Sequence, residues 1–169
     1  MFSDLIVGFD STAPARDALA LARRLSLATG AGADLRLITV PEVPSMCAGW
    51  AGYVTTVDAM RDVAADTLQR AADAADADAD ADADAVGREL TVERALADGP
   101  VVDGVTRHSQ GADLLVIGSP RYGRLRRLAL GTHTGPILHA ASTPVLVVPR
   151  RASEQRDDAV VRLAAGGAA

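Results

Sequence analysis

A doubly wound α/β domain, with a five-stranded parallel sheet and helices on both faces, is the fold this sequence predicts. Three observations predict it. Short runs of branched apolar residues recur through the chain, each ended by capping or turn residues. Segments with apolar residues at helical spacing lie between them. The composition, 49% hydrophobic but only 3% aromatic, makes a core of Ala, Val, Leu and Ile that lets helices pack closely on a sheet. At 169 residues the chain is most simply one domain with a sizeable core.

Leu5 to Phe9 (LIVGF) reads as a buried strand stopped by Asp10-Ser11-Thr12. Pro14 stands where a first helical turn tolerates it. Ala15, Ala18, Leu19, Ala22 and Leu25 then repeat at helical spacing, with Gly30 as the stop. Residues 33–40 (ADLRLITV) give a second strand closed by Pro41 and Pro44, so the chain opens as βαβ with a parallel pair. Residues 41–56, with Pro, Gly and Trp50, show no period and are expected to be a loop. Met60, Val63, Ala64, Thr67, Leu68 and Ala71 mark a second helix.

From Ala72 the sequence becomes a low-complexity Asp-Ala repeat, residues 72–86. Like charges four residues apart weaken a helix, and neither residue favours strands. A frayed helix end or solvated linker is expected. The carboxylates are hard metal ligands, but a flexible repeat has no fixed cage. Residues 89–96 form a third strand, and a helix opens at Asp98-Gly99-Pro100 and runs to Ser109, with Val101, Val102 and Val105 as its buried candidates. Leu114 to Ile117 is apolar throughout, as a strand covered on both faces should be. A helix over 134–141 holds Pro136 in its first turn, and residues 144–148 are the fifth strand. Residues 150–169 read as a tail beyond a domain spanning 1–149.

Charge and cysteine content narrow the function classes. A net charge of −5 argues against a nucleic-acid surface. The lone cysteine, Cys47, permits no intrachain disulfide and suits a reducing compartment. No apolar run approaches the ~20 residues of a membrane span. No signal peptide is legible in MFSDLIVGFD. A cytoplasmic protein is the expectation. Neither a Walker-type phosphate loop nor a nucleophile elbow is present. His108, His133 and His139 show no metal-ligand spacing.

The chemistry concentrates in GSPRYGRLRRLALGTHT, residues 118–134. Backbone amides freed by glycine, with hydroxyls opening a helix, make a concave surface suited to phosphate oxygens. In open α/β sheets ligands bind at the carboxyl ends of the strands, which here hold Asp10, Val40 and the loop from Gly118. Asp10 can accept from a ligand's amine or hydroxyl, or it can cap the first helix.

Taken together, LIVGFDST, DLLVIGS, Gly131-Thr132 and TPVLVVP resemble the universal stress protein family from Leu5 to about Pro149. The resemblance implies a flavodoxin-like domain, akin to the adenine nucleotide alpha hydrolase-like folds. It also implies ATP, with Mg or Mn, bound by G-x-x-G-x9-G-(S/T). Gly118 matches the first glycine and Gly131 the third, Thr132 matches the Ser/Thr, and Thr134 a second phosphate-facing hydroxyl. Asp10 and Val40 stand at the family's adenine contacts, and His133 at the rim. The second motif glycine is replaced by Arg121, with Gly123 two residues on. Arg121 either places a guanidinium on a phosphate or fills the pocket, leaving a dimeric interaction protein without a nucleotide. The family's dimers imply pairing through Val145–Val148. Hydrolysis would have no general base other than Asp10.

Overall fold

The computed structural model describes residues 2–28, 34–41, 53–86, 92–119, 121–122, 128–129 and 131–149. Five strands form one parallel sheet: β1 (Asp4–Gly8), β2 (Asp34–Thr39), β3 (Val92–Leu96), β4 (Leu114–Ser119) and β7 (Val145–Pro149), in the order β3-β2-β1-β4-β7. Between them lie α1 (Ala13–Ala28), α2 (Tyr53–Val86), α3 (Val101–His108) and α4 (Thr134–Ala140). β1 pairs on both sides, Leu5 with Leu35 and with Leu114, and its three central residues are wholly buried.

Alternation along the strands divides the core into two layers. Leu5, Val7, Leu35, Leu37, Leu114 and Val116 turn to one face, beneath α1 and α2. Ile6, Ile38, Leu115 and Ile117 turn to the other, against Val105 of α3 and Ile137 of α4. Both faces are covered, which is why the central strands read as unbroken apolar runs. Ala15, Ala18 and Ala22 line the inner side of α1; their short side chains bring its backbone close to the sheet.

The strand order runs outward from β1 in both directions, so the chain changes direction between β1 and β4. The carboxyl ends of those two strands flank a switch point, where open α/β sheets form their clefts.

Four expectations need correction. α2 begins at Tyr53, inside the segment read as a loop. Val54, Thr55, Thr56 and Val57 are poor helix formers, and none of them packs in the core, so no burial period marks them. α2 also runs through the Asp-Ala repeat to Val86. Leu68, Ala72 and Ala75 anchor it to the sheet; propagation from an anchored helix costs little where every other residue is alanine. β4 extends to Ser119, so Gly118 is strand rather than loop. Finally, β5 (Arg121–Tyr122) and β6 (Leu128–Ala129) pair antiparallel where an irregular loop was expected.

Other expectations lie outside the described residues: the start of the third strand at 89–91, Cys47 and Trp50, Gly123, and the tail over 150–169. Among the described residues no helix is long and apolar enough to cross a membrane.

Candidate functional site

The site is built from strand ends stitched to one another. Phe9 N donates to Ile38 O at 2.8 Å, the Thr39 hydroxyl donates to Phe9 O, and Ala97 N donates to Thr39 O at 2.9 Å. The carboxyl ends of β1, β2 and the segment after β3 are thereby held level.

Beyond β1 the chain turns sharply into α1. Asp10 Oδ1 accepts from Thr12 N at 3.0 Å and from the Thr12 hydroxyl at 2.6 Å, closing a side-chain turn. Ser11 sits in that turn at φ 60°, and its carbonyl accepts from Arg16 Nη1 at 2.7 Å. The N-cap of α1 is Thr12: its carbonyl takes Arg16 N at 3.0 Å and its hydroxyl takes Ala15 N at 3.4 Å. Asp10 therefore does not cap the helix directly. It orients the residue that does, through one of its two carboxylate oxygens.

Gly118, the penultimate residue of β4, has a packing reason to be glycine. A Cβ there would lie 2.3 Å from both C and O of Pro14 and 2.8 Å from Ala15 N. The first turn of α1 thus rests on the backbone of β4, beside the switch point. A similar approach joins β2 to α3, where a Cβ on Gly104 would meet Val40 Cγ2 at 2.8 Å. Val40 is consequently a packing residue of α3 as well as a residue at the cleft.

On the far side of Gly118, α4 opens at Gly131-Thr132-His133-Thr134. Thr134 is buried, and its hydroxyl donates to Gly118 O at the long distance of 3.5 Å. His133 is the N-cap position and makes no side-chain cap; its carbonyl accepts from Ile137 N at 2.9 Å.

These pieces surround one cleft of about 1320 Å³, above the ~300–1,000 Å³ common for small-ligand sites. Asp10, Val40, Gly118, Gly131, Thr132, His133 and Thr134 all line it. Seven residues predicted from separate stretches thus meet at one place. Arg121 is present as β-strand backbone paired with Ala129; a position in extended backbone does not demand glycine for its φ. Among the described lining residues the ionisable groups are Asp10 and His133.

Sequence reasoning missed a wall. Thr55, Thr56, Met60, Val63 and Thr67 of α2 line the cleft. Met60, Val63 and Thr67 carried the helical period that marked a second helix; no sequence signal distinguishes a stripe facing a cleft from one facing a sheet. Thr55 and Thr56 fell in the segment read as loop. His108 is half-buried, with Nδ1 2.8 Å from Gly104 O; His139 is exposed. Among the described residues no three His, Cys, Asp or Glu side chains converge on a metal position.

Residues 1–149 match the model of the universal stress protein family. Solved structures of similar fold include a universal stress protein family member from Burkholderia pseudomallei, 23% identical with a TM-score of 0.57, covering 88% of this chain and 97% of that one. A universal stress protein in complex with cAMP is 24% identical, with a TM-score of 0.52 and coverage of 88% and 97%. A universal stress protein family protein from Arabidopsis thaliana with AMP bound is 15% identical, with a TM-score of 0.54 and coverage of 90% and 94%. No curated protein matches the chain.

Proposed function

This chain belongs to the universal stress protein family, and from that premise we propose that it is a regulatory module that binds an adenine nucleotide, ATP with Mg²⁺ or Mn²⁺, at the switch-point cleft. One observation carries the reading: two groups of residues far apart in sequence border the same cleft. Asp10 and Val40 stand at the ends of β1 and β2, and Gly118 with Gly131–Thr134 at the end of β4 and the start of α4.

In this reading the phosphates would be held by the backbone amides of Gly131 and Thr132 and by the hydroxyl of Thr132, with the Thr134 hydroxyl turning to them from its long bond to Gly118 O. Amide and hydroxyl donors of this kind complement anionic oxygens without a permanent positive charge. Asp10 Oδ1 is already committed to Thr12, which fixes the carboxylate and leaves Oδ2 to accept from the base or ribose. His133 takes the rim. A divalent ion would be carried by the nucleotide's phosphates, where it would offset their charge; among the described residues no carboxylate cluster faces it. Relatives solved with cAMP and with AMP support the ligand class.

The test is thermal unfolding with and without MgATP. Saturation at a hundredfold Kd contributes about 2.7 kcal/mol, a rise of several degrees in Tm for a chain of this size. No shift at millimolar ATP overturns the proposal and favours Arg121 as the residue filling the pocket; Arg121→Gly would then create binding that the parent lacks.

A second property belongs to the same reading. Among the described residues β7 is a sheet edge, paired with β4 alone, and all five of its residues are half-buried. Natural proteins seldom leave an apolar edge uncovered. Pairing of Val145–Val148 with a second copy covers it, and sedimentation should give twice the 17.4 kDa of one chain.

A further inference from the structure

Helix α2 changes character part-way along. Leu68, Ala72 and Ala75 are core residues, yet from Val54 to Thr67 not one side chain is buried. The apolar stripe does not stop there. Met60, Val63, Ala64 and Thr67 continue it at helical spacing, and all four line the cleft. Val63 is 66% exposed. A β-branched apolar residue at an exposed helical position forfeits both helix propensity and burial, so the first half of α2 gains little from the protein it faces.

We infer that this half of α2 is the outer wall of a ring-binding slot, in which Met60 and Val63 close over the nucleobase together with Val40 and Val101 of the same cleft lining. The inference rests on the nucleotide reading given above. The character of the cleft selects the occupant. Its lining combines the start of α4, with its amides and hydroxyls, and the apolar residues of α2, with Asp10 and His133 the ionisable groups among its described residues. A ligand with an anionic end and a flat, largely apolar ring complements both at once. A bare anion such as inorganic triphosphate would leave the wall uncovered.

Val63→Gln tests the assignment, because the position is exposed and its loss removes no core contact. Val54→Gln is its control: Val54 is 68% exposed on the same helix but does not line the cleft. Both variants should unfold within about a degree of the parent without nucleotide, as exposed substitutions do. In titration calorimetry with MgATP, Val63→Gln should weaken binding about five- to tenfold, the loss expected for one apolar side chain against a ring. Val54→Gln should stay within about twofold of the parent. Inorganic triphosphate should bind the parent and Val63→Gln equally. ATP binding by the parent with equal affinity in Val63→Gln, or equal losses in both variants, overturns the wall while leaving the nucleotide reading intact. No ATP binding by the parent overturns both.

Discussion

Gly118 admits two readings that a sequence cannot separate. As the first glycine of a phosphate-binding pattern it was expected to free backbone for a ligand. The structure adds a packing reason, since the space a Cβ would need is taken by the Pro14 carbonyl and the Ala15 amide. Backbone atoms cannot swing aside as a side-chain end can. Gly118→Ala should therefore cost about 1–3 kcal/mol in urea unfolding, the range of overpacked core sites, and should do so whether or not nucleotide is present. A cost near zero would mean that α1 slides readily on β4. Asp10 teaches the same lesson from the other side: its residue type allowed capping or ligand contact, and the observed geometry gives the cap to Thr12 while Asp10 holds Thr12 in place.

At the scale of elements, α2 shows best where local reasoning stops. Its 34 residues span about 50 Å at helical rise, against roughly 17 Å for a five-residue strand, so only its middle can lie on the sheet. That middle is Leu68 to Ala75. Leu68→Ala should cost about 2–5 kcal/mol, as buried leucines do. Ala81→Pro, beyond the last described core contact, should remove far-ultraviolet helical signal while shifting the urea midpoint little. An equal loss of stability in both variants would show that the repeat is packed. The helical period between Met60 and Ala71 was legible. Its continuation through alternating Asp and Ala was not, because propagation needs an anchored neighbour as well as the repeat's alanines.

Across the whole molecule, the amino-terminal end of the sheet is clasped by one carboxylate. Asp113 Oδ2 accepts from Ser3 N at 2.6 Å, the Ser3 hydroxyl at 2.8 Å and Asp4 N at 3.1 Å. The hydrogen bond from the Ser3 backbone, then that from its hydroxyl, hold the Asp113 carboxyl below the usual aspartate value. A lowered folded-state pKa contributes stability above the unfolded value and loses it as pH falls through the folded one. The urea midpoint of the parent should fall below about pH 4, and Asp113→Asn should flatten that decline; an unchanged acid slope would remove the clasp from the account. The sequence by itself determined the α/β class and the five parallel strands, because strand burial and helix stops are written in local residue periods. Tertiary structure decided which helix face is core and which is cleft wall, that Thr12 rather than Asp10 caps α1, and that Gly118 is also a packing position. Those depend on atoms brought together from distant segments, and no local period records which neighbour a side chain will meet.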